Sequence, residues 1–147
     1  MEHPIKIALV SPYDHASHGG VRNHIVNLAS QFRNWGDTVR IIAPCSSPKR
    51  IQDEDFIPMG RPVPVPSGGS IARISLSVWL RPRIKSLLQQ ERFDVIHLHE
   101  PFMPVLPLQV LHCSQSANVG TFHAVQGRVG NYSWAKVGLQ HWMKKLH

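Results

Sequence analysis

Four short stretches carry residue types that could do chemistry. The first is Ser11-Pro12-Tyr13 through Gly19-Gly20-Val21, where an apolar run gives way to a helical pattern. Two glycines at such a junction let a backbone come close to a ligand, and the N–H groups that open a helix can receive an anion. The dinucleotide fingerprint G-x-G-x-x-G and the phosphate loop G-x-x-x-x-G-K-[ST] are both absent, so a structural tight turn competes evenly with a phosphate site. The second stretch is Asp94-Val95-Ile96-His97-Leu98-His99-Glu100, whose two histidines fall on one face of a strand, a spacing open to a metal ion. No further Cys or Asp stands at a convincing ligand spacing, so histidines that order the following loop are the stronger reading. Asp53-Glu54-Asp55 contains D-x-D, which can hold a divalent metal and a diphosphate. It lies beside Lys49 and Arg50 and reads better as a solvated charge run. The fourth is Thr121-Phe122-His123 at the carboxyl end of an expected strand, where open α/β sheets bind ligands. A histidine there can hydrogen-bond a substrate or act as a base. On position alone, structural and functional roles for His123 carry equal weight.

These residues need elements to position them, and the pattern supplies short apolar runs alternating with amphipathic segments. That alternation predicts parallel βαβ units and a doubly wound, mostly parallel α/β sheet with helices on both faces. Strands are expected at Ile5–Ser11, Thr38–Ala43, Asp94–Leu98 and Asn118–Phe122. Helices are expected at Val21–Trp35, stopped by Gly36, at Met103–Cys113 and at Tyr132–Leu146. Val78–Arg92 is mostly helical, but Pro82 requires either a start near Arg81 or a kink. Residues 44 to 70 read as irregular, with extended pieces near Phe56–Met59 and Val63–Val65. The final helix has no strand after it, so the domain at 1–147 is expected to be cut short of its last strand.

Composition narrows the classes. At 147 residues and 42% hydrophobic, the chain fits one domain with a proper core. A formal charge of +7 favours an anionic partner: a nucleotide diphosphate, an acidic lipid or a nucleic acid. Nucleic acid has only the charge in its favour, because no reader motif with interleaved aromatics is present. The ten histidines are many for this length, and most are expected to be ordinary surface or core residues. Cys45 and Cys113 are far apart and form no framework, which fits a reducing, cytoplasmic setting. No run approaches the ~18 apolar residues of a spanning helix. On Trp79-Leu80-Arg81, Arg83 and Lys85 provide basic and apolar groups that could meet an anionic membrane surface, or simply form a solvated helix face.

Taken in order, Ser-Pro-Tyr, then Gly19-Gly20-Val21 with His24, then Val-Pro-Val-Pro-Ser-Gly-Gly-Ser-Ile-Ala-Arg, Phe-Asp-Val-Ile-His-Leu-His-Glu-Pro and Thr-Phe-His resemble the N-terminal domain of family 4 retaining glycosyltransferases. Within that family the sequence is most similar to the phosphatidylinositol mannosyltransferase group, over residues 5 to 147. The resemblance implies a GT-B architecture of two Rossmann-like domains facing a cleft, with no catalytic metal and no cofactor beyond a nucleotide-sugar substrate, such as a GDP- or UDP-sugar. It implies that Gly19 and Gly20 approach the donor diphosphate and that His123 sits beside the transferred sugar. It also implies that Arg22, Ser70, Arg73 and Arg128 face a lipid or other polar acceptor. The C-terminal nucleotide-sugar domain, with the family's E-x7-E motif, is expected in cis beyond these residues, so the chain alone is expected to be inactive. Several positions depart from the group: His18 for proline, Arg22 for a neutral amide, Ala124 for a hydroxyl residue and Ser67-Gly68 for an aromatic-amide pair. A non-catalytic module that binds an acidic lipid or nucleotide is the alternative function.

Overall fold

The computed structural model describes residues 3–67, 69–123 and 135–147. Seven strands and four α-helices are present among them: β1 (Lys6–Val10), α1 (Gly20–Asn34), β2 (Thr38–Ala43), β3 (Phe56–Pro58), β4 (Val63–Ser67), β5 (Ser70–Ile74), α2 (Arg81–Glu91), β6 (Val95–His99), α3 (Leu106–Cys113), β7 (Ala117–Thr121) and α4 (Ala135–Met143). Five strands form one sheet in the order β3-β2-β1-β6-β7, and every pairing in it is parallel. The chain runs outward from β1 to β2 and β3, then returns across β1 to β6 and β7. That reversal between β1 and β6 is the switch point at which open α/β sheets leave a crevice beyond their carboxyl ends.

The strands bury both faces, which is why they read as near-continuous apolar runs. Ile7 and Leu9 of β1 join Val39, Ile41 and Ala43 of β2 under Ile25 and Ala29 of α1. Ala8 and Val10 turn the other way, with Ile42, Ile96 and Leu98, to meet Ile84 of α2 and Leu106, Val110 and Leu111 of α3. The sheet is therefore doubly wound, as expected. Polar groups fix its amino edge: the Asp94 carboxylate accepts the Lys6 backbone N–H at 2.7 Å, and the Asp37 carboxylate accepts that of Ile5 at 3.1 Å.

Element ends differ from expectation for identifiable reasons. Asp94 spends its carboxylate on Lys6, so β6 starts one residue later and takes in His99. Helix α3 starts at Leu106 and not at Met103, because Met103 donates back to the Glu100 carbonyl in a turn and Val105 takes a φ of 74°. Pro107 then sits in the helix's first turn, where its missing N–H costs nothing. Pro82 does the same for α2, which begins at Arg81 after a 3-10 turn over Val78–Leu80. Of the last helix, 135–143 is described and the expected start at Tyr132 lies outside the described residues.

The stretch expected to be irregular holds an antiparallel hairpin, β4–β5, with Pro64 opposite Arg73 and Pro66 opposite Ile71. Residues 64 and 66 are two apart, so their backbone nitrogens point to the same side of β4. Two prolines can therefore occupy the positions facing away from β5, while residues 63, 65 and 67 carry the ladder. Leu98 is completely buried at the centre of the α2–α3 face. Leu98→Ala is expected to lower unfolding free energy by about 2–5 kcal/mol in urea titrations; a loss under about 1 kcal/mol would mean that the two helices close over the gap.

Candidate functional site

The loop from β1 to α1 is built around one buried carboxylate. Asp14 is 3% exposed and accepts backbone N–H groups of Ala16 (3.1 Å) and Ser46 (2.9 Å) and the hydroxyl of Ser17 (3.0 Å). Burial works against its charge, but the hydrogen bonds from Ser46, Ala16 and Ser17 outweigh it and hold the carboxyl below its ordinary range. The Asp14 N–H donates to the Arg73 carbonyl, the His15 N–H donates to that of Pro44, and Tyr13 bridges to Ile74. The loop is thus tied to β5 on one side and to the end of β2 on the other. His15 is also buried, stacked on Phe56 at 4.5 Å, and the Arg22 guanidinium donates to its carbonyl at 2.9 Å. Burial, with Arg22 nearby, pushes the His15 pKa down to about 4.

This anchored loop delivers Gly19 and Gly20 to the start of α1. Gly19 is extended, with φ −179° and ψ 161°, a conformation open to any residue. A Cβ added to either glycine would meet no atom of the chain within 4 Å. Neither backbone strain nor internal packing explains the two glycines. What they leave open is space outside the chain, at a helix end whose first N–H groups have no acidic side chain in the first turn.

One turn into α1, His24 meets two other histidines. Its ring lies 5.6 Å from that of His99 and 5.2 Å from that of His123, edge-on to both. His99, at the carboxyl end of β6, is wholly buried, and His123 follows β7. His99 Nδ1 and His123 Nε2 are 2.8 Å apart with the rings only 20° from coplanar, so one proton is shared nearly in the ring plane. His97 lies flat against His99 at 4.4 Å, and its Nε2 meets the Thr121 hydroxyl at 2.7 Å. The strand pairing sets all of this, since His97 is opposite Val119 and His99 opposite Thr121. Glu100 completes the frame: in the left-handed region at φ 52°, it accepts the His123 backbone N–H on its carboxylate at 2.6 Å.

His97, His99 and His123 are biased toward the neutral form. Burial, then the neighbouring His97, His123 and His24, bring His99 down to about 3. Burial and His24 lower His123, with Glu100 opposing, and burial, His24 and His123 lower His97. Neutral imidazoles offer both a donor and a lone pair.

The other expected site residues lie as follows. Ser70 and Arg73 are exposed on β5, and the Arg73 backbone ties this hairpin to the Asp14 loop. Arg22 is half-buried, with its guanidinium on the loop it follows. Arg128 and Ala124 lie outside the described residues. Arg81, Arg83 and Lys85 do not form one patch: Arg81 reaches His112 on α3, Arg83 donates to the Pro58 carbonyl, and two positions along a helix turn a side chain to the opposite flank. Just before α2, Trp79 and Val78 are exposed at 87% and 62%, and on the β4–β5 hairpin Ile71 is exposed at 68%. Asp53 and Asp55 are partly exposed, with side chains 27% and 43% accessible, and stand apart from the histidine cluster. They pair with Arg33 and Arg40, bracing α1 against β2 and β3. A concavity of about 600 Å³, lined by Lys85, Gln89, Arg92 and Asp94 among others, opens at the amino end of the strands and is not this site.

A parallel, doubly wound sheet with polar groups gathered at its switch point is a Rossmann-like domain. Residues 18–147 match the Glycosyltransferase Family 4 model, and the chain belongs to that family. It is 38% identical over 125 residues to the phosphatidyl-myo-inositol mannosyltransferase of Propionibacterium freudenreichii, a match covering 81% of this chain and 33% of that protein. To the Mycobacterium leprae protein of the same name it is 34% identical over 142 residues, covering 97% and 38%. The chain thus spans about a third of the length of these relatives. Its fold is like that of a glycosyltransferase from Rickettsia africae (TM-score 0.59, 15% identity, 91% of this chain and 34% of that one). Acinetobacter baumannii MurG is similar too (TM-score 0.56, 12% identity, 91% and 40%).

The buried neutral histidines give a pH signature. An unfolded histidine protonates near pH 6.5, whereas His15 and His99 in the fold stay neutral to about 4 and about 3. Below 6.5 the unfolded chain therefore binds more protons, and stability falls as pH falls, by up to about 1.4 kcal/mol per pH unit for each ring. The depressed Asp14 loses its contribution only below about pH 4. Urea midpoints should accordingly drop between pH 7 and 4.5, with His15→Gln showing about half the fall. A flat profile would mean that both rings take up protons within the fold.

Proposed function

We propose that this chain is the acceptor-side, Rossmann-like part of a retaining, metal-independent glycosyltransferase that moves a sugar from a nucleotide-sugar to a lipid or other polar acceptor. The observation that carries the reading is the meeting, at the switch point, of an unobstructed glycine pair at a helix start with His123, linked through His24. The names of the relatives favour mannose as the sugar and an inositol lipid as the acceptor.

In such a transfer the bond from the anomeric carbon to the diphosphate oxygen breaks, leaving oxocarbenium character on the sugar and negative charge on the departing diphosphate. Gly19 and Gly20 would let that diphosphate approach the backbone N–H groups of α1, whose dipoles are fixed before the charge develops. His123, oriented by the His99 ring and by its backbone bond to Glu100, would hydrogen-bond the sugar beside the breaking bond. Ser70 and Arg73 of the hairpin would face the acceptor, joined by Arg128, and Arg22 would border the same space. The donor's nucleotide would be held by a second domain in the longer protein, so the 147-residue chain alone should show no turnover.

Because a Cβ at position 20 meets nothing in the chain, Gly20→Val should leave stability within about 0.5 kcal/mol. In the longer protein the same change should raise the nucleotide-sugar KM at least ~10-fold, by obstructing the diphosphate. His123→Ala should lower kcat ~10²–10³-fold with circular dichroism unchanged. A longer protein that binds nucleotide-sugar yet transfers nothing would favour the non-catalytic binding module.

A lipid acceptor places the reaction at a membrane surface, and exposed Trp79, Val78 and Ile71 with Arg81 and Lys85 would meet it. Each cation near an acidic surface contributes ~1 kcal/mol. Co-sedimentation with liposomes should rise with anionic lipid, fall with salt and drop on Trp79→Ser; indifference to all three would remove the membrane contact.

A further inference from the structure

His24, His99 and His123 come from three separate elements, yet one ring nitrogen from each lies within 4.8 Å of the others. We propose that these three imidazoles form a binding site for a first-row transition-metal ion of the zinc class; on the function proposed above, the ion takes no part in transfer and would compete with the sugar for His123.

The geometry is close to what such an ion requires. Zinc–nitrogen bonds of about 2.0–2.1 Å at tetrahedral angles put ligand nitrogens about 3.3–3.4 Å apart. The His99–His123 pair, at 2.8 Å, must open slightly and turn toward a shared ion, with a His24 nitrogen within 4.8 Å of the set. His24 is exposed on the first turns of α1 and can swing, whereas His99 is locked in the fold. That division suits a site: a rigid buried ligand, a half-buried one on its backbone tether to Glu100, and a mobile one at the surface.

Binding exchanges the His99–His123 hydrogen bond for metal–nitrogen bonds. Each ring stays a neutral donor, and its N–H proton resides on the nitrogen turned away from the ion. The fourth position is left to solvent. An all-nitrogen set selects zinc, cobalt, nickel or copper over magnesium and calcium, which prefer oxygen.

The test uses the chain without an affinity tag, and it reads binding independently of any transferase assay. Calorimetric titration with Zn²⁺ should show one ion per chain, and Co²⁺ should give the intense visible bands of a four-coordinate site. His24→Ala, an exposed change that leaves the core untouched, should weaken binding at least ~10-fold, as should His123→Ala. The paired change His3→Ala and His18→Ala, on exposed histidines outside the cluster, should leave binding as it was. Excess Mg²⁺ should not compete. Absence of one-to-one binding, six-coordinate Co²⁺ spectra, or affinity unaltered by His24→Ala and His123→Ala would each overturn the site.

Discussion

The pairing of β6 with β7 is the constraint on which the site depends. In a parallel ladder, register decides which side chains share a face, and a slip of one residue would send every one of them to the opposite side. Here His97 lies opposite Val119 and His99 opposite Thr121. That register turns both histidines toward the α1 face, while Ile96 and Leu98 fill the opposite core under α2 and α3. The same pairing ends β7 where the next residues must leave the sheet, and Glu100 catches the chain there through the backbone N–H of His123. The apolar half of β6 thereby fixes the polar half. Burial of Ile96 and Leu98, each worth roughly 1.5–3 kcal/mol, holds a strand whose other face carries two imidazoles.

A second anchor is needed because the site spans both sides of the switch point. Asp14 supplies it on the β1 side, gathering N–H groups from its own loop and from Ser46 after β2. The β4–β5 hairpin joins through the Arg73 carbonyl and the Tyr13–Ile74 bridge. Loops usually carry function on a rigid scaffold. In this domain the loop itself is pinned by a buried carboxylate, so the start of α1 has a defined place relative to His99 and His123.

The sheet was legible in the sequence because each parallel strand buries both faces and so reads as an apolar run. Thr38–Ala43 falls where the pattern put it, and the remaining sheet strands shift by a residue. The hairpin escaped notice because Pro64 and Pro66 look like breakers until their shared outward side is seen. Gly19, Gly20 and His123 stand out from their places at element ends. His24, His99 and Asp14 could not be weighted the same way. The partners of His99 lie 75 positions before it in the chain and 24 after, and only tertiary structure brings them together. Asp14 followed by Ser17 does carry a local turn signature, and reading it would have found the loop anchor. Asp53 and Asp55 stay partly exposed, as a solvated charge run implies, and their ion-pair partners are Arg33 and Arg40, which the fold delivers from α1 and β2.

The distribution of charge follows from the same architecture. The chain carries +7, yet much of its basic character is committed away from the switch point: Arg33 and Arg40 to ion pairs, Arg83 to a carbonyl on β3, Arg81 to His112 on α3. Arg22, beside the glycine pair, is turned back onto the loop by its bond to the His15 carbonyl. Around the histidine cluster the described groups are imidazole rings, a helix start and one carboxylate that already accepts a backbone N–H. A region of that kind works by fixed dipoles and aligned donors, whose orientation is settled when the fold forms and needs no reorganisation afterwards. The lowered basicity of His97, His99 and His123 also suits their crowding, since imidazolium ions at these separations would repel in a medium less polar than water. The close approach of His99 and His123 is set by the β6–β7 register, which buries His99, and exposed His24 meets both from α1.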